Sequence, residues 1–162
     1  MCPTSVPPSS SVPDLDRARR ILISLQNPPR LIPAWITFNA LYAKVGPERD
    51  DLMAFIRTYI SDDHATAILQ RRARDLAYYA ATPPGNMRLG SQHPAFRQRT
   101  AADLVVATDT TAPPSVRLAH FVAAVYQVRC NLFHGRKDVS ELRSLRLVDA
   151  CYNLVAGVLS DV

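Results

Sequence analysis

A chain of 162 residues with 48% apolar side chains supports one hydrophobic core and is short for two comfortable domains. Its formal charge of +5 and pI near 9.4 make an anionic partner such as nucleic acid a better fit than a cationic one. No run of about 18 apolar residues is present, which excludes a helical membrane span.

Lys44 and Lys137 are the lysines among 19 basic residues, so the positive charge rests on guanidinium groups able to grip phosphate through two parallel hydrogen bonds. Arginine usage that follows genomic base composition would look the same. The cysteines, Cys2, Cys130 and Cys151, show neither metal-ligand spacing nor a disulfide framework, which fits a reducing, cytoplasmic setting.

Residues 1–14 are rich in Pro and Ser and lack the apolar core of a signal peptide, so they read as a disordered tail before a single domain over 15–162. Leu15, Ala18, Ile21, Leu22 and Leu25 then keep helical spacing until Pro28-Pro29. After Pro33, large apolar groups at Trp35, Phe38, Leu41 and Tyr42 predict a second helix, closed by Gly46-Pro47. A third follows Asp50-Asp51 with Leu52, Phe55, Ile56, Tyr59 and Ile60 in register.

Asp62-Asp63 opens a fourth helix, in which Ala67, Ile68, Leu76 and Tyr79 repeat until Thr82-Pro83-Pro84-Gly85 breaks the pattern. From Ala81 to Ser115 no long period is visible and five prolines occur, so this stretch reads as a long irregular connection. Arg97 and Arg99, with Phe96 and His93, give it a composition suited to phosphate contact and base stacking. The strongest helix spans Ser115 to about His134, with Leu118, Val122, Val125, Val128 and Leu132 on one stripe and Gly135 placed to stop it. A last helix follows Ser140-Glu141, with Leu142, Leu145, Val148, Tyr152, Val155 and Leu159 in phase. The expected fold is an all-α bundle of five to six helices.

Several chemistries are disfavoured. The glycines at 46, 85, 90, 135 and 157 form no phosphate loop, and the histidines at 64, 93, 120 and 134 show no zinc-binding spacing, so neither a nucleotide cofactor nor a metal is expected. Asp62-Asp63-His64 suits a helix N-terminus better than a metal. Cys130 and His134 have the i, i+4 spacing of a nucleophile and its base, but no third orienting group is in view.

The stretch from Tyr126 to Lys137, with Arg129, Cys130, Asn131, Leu132, Phe133 and His134 at its centre, resembles the Arg-x4-His signature of HEPN domains, a family of nucleotide-binding and RNA-cleaving helical bundles. The earlier run Trp35 to Tyr42 resembles the Phe-Asn-x-x-Tyr segment found in a helix of many such bundles, here Phe38, Asn39 and Tyr42. The resemblance implies a homodimeric or pseudo-dimeric bundle whose paired motifs face a shared cleft and cut RNA without metal. It implies Arg129 and His134 as catalytic residues and a toxin or defence role. Asn131, Cys130, Asn39 and Tyr42 are then candidates to support the cleft, with Asn39 and Tyr42 equally able simply to join the core, and Arg136 and Lys137 after the motif join Arg97 and Arg99 of the long connection as candidate RNA contacts. The residue after the arginine is commonly polar in that family, whereas here it is Cys130, with Asn131 one position later. A thiol is a poor hydrogen-bonding substitute.

The chemistry suits these residue types. An imidazole such as His134 titrates near pH ~6.5 and can both remove the 2′-hydroxyl proton and protonate the leaving oxygen. Arg129 stays charged and can tighten on a phosphorane as its charge grows. Five residues rotate a straight helix by roughly 140°, so the two side chains share a site only at a helix end or between two copies. The rival expectations are a non-catalytic bundle that holds RNA, a nucleotide or a nucleotidyltransferase partner, and a structural pair in which Arg129 forms a salt bridge and His134 caps its helix.

Overall fold

The computed structural model describes residues 31–42, 46–133 and 142–160, and among these it is all-helical. The helices are α1 (Leu31–Tyr42), α2 (Glu48–Tyr59), α3 (Asp62–Arg71), α4 (Ala73–Ala81), α5 (Gln98–Thr108), α6 (Pro114–Phe133) and α7 (Leu142–Ser160), with one 3-10 turn at Pro94–Phe96. The expected helix over Leu15 to Leu25 and the tail before it lie outside the described residues. His134, Arg136 and Lys137 do too.

Helix α6 is the axis of the bundle. Leu118, Ala119 and every residue from Phe121 to Val125 are buried, so apolar side chains cover its whole circumference rather than one stripe. Such a helix has no face to offer water and must be surrounded. It is packed by α2, α3, α5 and α7, while α1 lies against α7 and α2. Its N-terminus is served by another element: the Asp62 carboxylate at the start of α3 accepts from Ser115 N at 2.9 Å, and this bond lowers the Asp62 pKa. The cap of α3 itself is Ser61, whose hydroxyl accepts from His64 N.

Two expected elements differ from the structure. The fourth helix is broken at Arg72 into α3 and α4, although Ala65, Ile68, Leu69, Leu76 and Tyr79 keep one apolar phase across the break. The stretch 81–115 is not irregular throughout. Its second half forms α5, whose inward stripe of Thr100, Asp103, Leu104 and Ala107 keeps three-to-four spacing but is half polar, so hydrophobicity alone does not reveal it.

Thr100 and one oxygen of Asp103 are bound, while the second Asp103 oxygen is buried without a partner among the described residues. Asp103 is 4% exposed, and one of its oxygens takes both the Arg49 guanidinium and His120 Nδ1, the latter at 2.9 Å. A single carboxylate thereby ties α2, α5 and α6 together. Tyr79, fully buried, donates to Leu147 O at 2.8 Å and links α4 to α7.

The remaining irregular segment, 82–97, is pinned to the bundle. Thr100 Oγ1 donates to Pro84 O at 2.5 Å and Asn86 N to Phe96 O at 2.6 Å. Gly85 lies so close under the Phe96 ring that an added Cβ would fall 2.1 Å from it. Any side chain there forces the ring out.

Breaking the Asp103 pair from one side strands a buried charge. Asp103→Ala is expected to lower unfolding free energy by about 3 kcal/mol in chemical denaturation, and pairing it with Arg49→Met is expected to restore most of the loss, since apolar replacement of a buried ion pair is often neutral. Equal stability of wild type and the single variant would show that the pair does not hold the three helices.

Candidate functional site

The candidate site is built around a carboxylate that sequence reading did not single out. Glu48, the first residue of α2, accepts from the Tyr42 hydroxyl at 3.0 Å through Oε1. Through Oε2 it accepts from the Tyr126 hydroxyl at 2.9 Å and from Arg129 Nη1 at 3.3 Å. Its partners lie 6, 78 and 81 positions away, so no local pattern announces the arrangement. At the N-terminus of α2 a Glu is also what the helix dipole favours, which makes it unremarkable in sequence.

Arg129 leaves α6 near its end and is held on several sides. Its guanidinium carbon lies 4.7 Å from the Phe133 ring centroid, 5.7 Å from Tyr126 and 5.9 Å from Trp35. These distances are within reach of cation–π attraction. Trp35 in turn stacks obliquely on Tyr126, with centroids 6.2 Å apart, and meets Phe38 edge-on. Among the described residues the Arg129 hydrogen bond is the one to Glu48, and its Nε is buried without a partner. The cation is positioned and partly neutralised at once.

The two sequence segments that prompted the HEPN resemblance therefore meet. Tyr42 reaches the same carboxylate as Arg129, and Trp35 walls the guanidinium. Tyr42 is both a core residue, 1% exposed, and a ligand of the site through its hydroxyl tip. Cys130, half-buried and free, adjoins the Tyr126 hydroxyl. Asn39 is half-buried, and among the described residues its side-chain oxygen has no hydrogen-bond partner.

Asn131 goes elsewhere. It is 3% exposed and turns toward the 82–97 segment, donating to Gly85 O at 2.8 Å and accepting from Met87 N and Gln127 Nε2. Its place is that of a clasp between α6 and this segment, away from the Glu48 carboxylate. Arg97 and Arg99 are exposed on the same segment and on α5, and Arg97 lies 5.7 Å from the Phe96 ring centroid. They are not part of the Arg129 cluster. His134, Arg136 and Lys137 fall outside the described residues.

No protein-family model matches this chain, and no similar protein is found among curated sequences or solved structures. Among the described residues no cluster of three or more His, Cys, Asp or Glu side chains could hold a metal ion, and no helix is long and apolar enough to cross a membrane.

The phenols of the site are kept protonated. Burial and then the Glu48 carboxylate push Tyr42 far above the ordinary phenol value. Burial, the Cys130 thiol and Glu48 do the same for Tyr126, and burial raises fully enclosed Tyr79. A raised folded-state value means the folded chain holds protons that the unfolded chain releases. Stability is then complete below pH about 10 and falls above it, by up to about 1.4 kcal/mol per pH unit for fully enclosed Tyr79 and by less for Tyr42 and Tyr126, whose surroundings solvent screens. Tyrosinate absorbance and circular dichroism followed together above pH 10 are expected to show these phenols ionising with unfolding, not before it. Early ionisation in a folded chain would contradict the buried arrangement.

Removing the hub is a second test. Glu48→Ala leaves two phenols without an acceptor and Arg129 without its counter-charge, with an expected loss of about 1–3 kcal/mol in denaturant unfolding. Tyr42→Phe, which removes one bond, is expected to cost about 1 kcal/mol.

Proposed function

We propose that this chain is a metal-independent endoribonuclease of the HEPN type, with Arg129 holding the scissile phosphate and His134 moving protons. The observation that supports it most is the convergence, on Glu48, of the two segments that carry the resemblance, Trp35 to Tyr42 and Tyr126 to Phe133. They are separated by more than 80 residues in sequence, yet they build one arginine site walled by aromatic rings.

In this reading His134 takes the 2′-hydroxyl proton and the 2′-oxygen attacks phosphorus. The P–O5′ bond breaks and a proton is returned to the leaving oxygen, giving a 2′,3′-cyclic phosphate and a 5′-hydroxyl. Arg129 stabilises the charge on the non-bridging oxygens. Glu48 fixes the guanidinium from one edge, so the phosphate meets a cation whose rotamer is already set and pays little ordering entropy. Two copies facing one another let one His134 act as base and the other as acid. A toxin or defence role follows from the resemblance alone.

A second reading is a non-catalytic module that binds RNA, a nucleotide or a nucleotidyltransferase partner. The Glu48–Arg129 ion pair favours it, because the carboxylate already neutralises the cation that a phosphate would seek. Cys130 in place of the usual polar residue points the same way.

The two readings separate in one assay. Wild type with structured and single-stranded RNA at low salt, in the presence of a chelator, is expected to yield cyclic-phosphate ends. His134→Ala is expected to slow cleavage by about 10²–10⁴-fold. Arg129→Lys, which keeps the charge and loses the planar fork, is expected to slow it by about 10²-fold in a chain that circular dichroism shows to be folded. RNA bound by wild type but left intact, with His134→Ala indistinguishable from it, would move the chain to the second reading.

A further inference from the structure

A second surface, on the other side of the last turns of α6, has the makings of a ligand site. A cleft of about 310 Å³ lies between the 86–96 loop, the first turns of α5 and Gln127 of α6. Its volume is at the lower end of the ~300–1,000 Å³ usual for small-ligand sites, a size for one planar group with its sugar. We propose that this cleft takes a single nucleobase of an unpaired RNA strand.

Three features of the cleft argue for that occupant. First, Phe96 lines the cleft, with its ring set against Gly85, the Arg97 guanidinium 5.7 Å from its centroid and the loop fixed by its own hydrogen bonds, so an aromatic side chain is in place at the cleft before anything binds. Bases stack on such rings whatever their identity. Second, Asn86, Gln98 and Gln127 supply carboxamides, which carry both donors and acceptors and so can match the edge of a base. Among the described residues the Gln98 side chain makes no hydrogen bond, and Gln127 uses its NH₂ on Asn131 and keeps its oxygen. Third, the charge at the cleft is all of one sign: Arg99 lines it, Arg97 lies beside Phe96, and no carboxylate takes part in the lining. A neutral base between guanidinium groups that meet its flanking phosphates satisfies all three.

The position also bears on the proposed cleavage. Gln127 and Arg129 are two residues apart on α6 and so point to nearly opposite sides of it, about 200° apart around the axis. A strand that leaves a base in the cleft and passes over the end of α6 arrives at Arg129 after about one helix diameter, on the order of 10 Å. This part of the inference rests on the ribonuclease reading: the base in the cleft would belong to a nucleotide flanking the cut.

Binding tested apart from cleavage separates the two ideas. The probe is a fluorescent 2′-O-methyl oligonucleotide, which has no attacking hydroxyl, compared with an abasic strand of equal length and charge, using the 162-residue chain. Wild type is expected to bind the base-bearing strand at least tenfold more tightly than the abasic one. Gln98→Ala with Arg99→Ala, both exposed positions, and separately Phe96→Leu are expected to weaken binding of the base-bearing strand by about tenfold. Phe96→Leu is expected to leave the abasic strand unaffected. The surface double variant keeps the test decisive if Phe96→Leu fails to fold. Equal affinity of wild type for the two strands, unchanged binding by the variants, or displacement of RNA by polyglutamate at equal charge would overturn the nucleobase site. Cleavage of natural RNA that persists while these results are negative would leave the ribonuclease reading standing, and base-dependent binding without any cleavage would do the reverse.

Discussion

The whole bundle follows from a helix that is apolar all the way round over its middle turns. With Leu118, Ala119 and the run Phe121 to Val125 all buried, α6 needs neighbours on every side, and α2, α3, α5 and α7 supply them. Burying a Val or Leu side chain contributes roughly 1.5–3 kcal/mol, so leaving even two of these in water would remove a large share of a small domain's net stability. The alanines at 119, 123 and 124 are short enough for neighbouring helices to approach closely. Polar side chains reach outward near both ends of α6: Ser115, Arg117 and His120 before its buried middle, and Tyr126, Gln127, Arg129 and Cys130 after it.

What happens at the C-terminal end depends on where the neighbours start. Helix α2 begins at Glu48, and its first carboxylate falls against Tyr126 and Arg129. The next residue, Arg49, turns to Asp103 on α5. Two adjacent residues at one helix start therefore serve two separate polar clusters. The two clusters differ in their carboxylates: the Asp103 side chain is 5% exposed and that of Glu48 27%, while the arginines they bind, Arg49 and Arg129, are alike at 16% and 18%. A carboxylate shut away from water binds its cation more firmly than one that water can reach, so the Arg49–Asp103 pair is the better suited to holding helices and the Glu48–Arg129 pair the easier to open.

Periodicity made much of this readable. The helices now seen at Leu31–Tyr42, Pro114–Phe133 and Leu142–Ser160 were expected close to those bounds because their apolar residues recur every three to four positions between clear breakers. Helix α5 was hidden for a specific reason: two of its four inward residues, Thr100 and Asp103, are polar, and their burial is tolerable only because Pro84, Arg49 and His120 come from elsewhere to bind them. The break at Arg72 was hidden because the apolar phase runs through it unchanged.

The sequence by itself determined that this is a helical chain built on one very apolar helix, and that Arg129 stands near that helix's C-terminal end, because both depend on residue types within a few turns of each other. It also drew Trp35 to Tyr42 and Tyr126 to Phe133 to attention as separate segments. Only the tertiary structure decided that these segments meet on Glu48, that Tyr42 belongs to the site, and that Asn131 turns instead to Gly85 and the loop above it. The reason is physical. A hydrogen bond between residues 78 or 81 positions apart leaves no periodic trace, since it is set by how helices cross and not by how any one of them is composed.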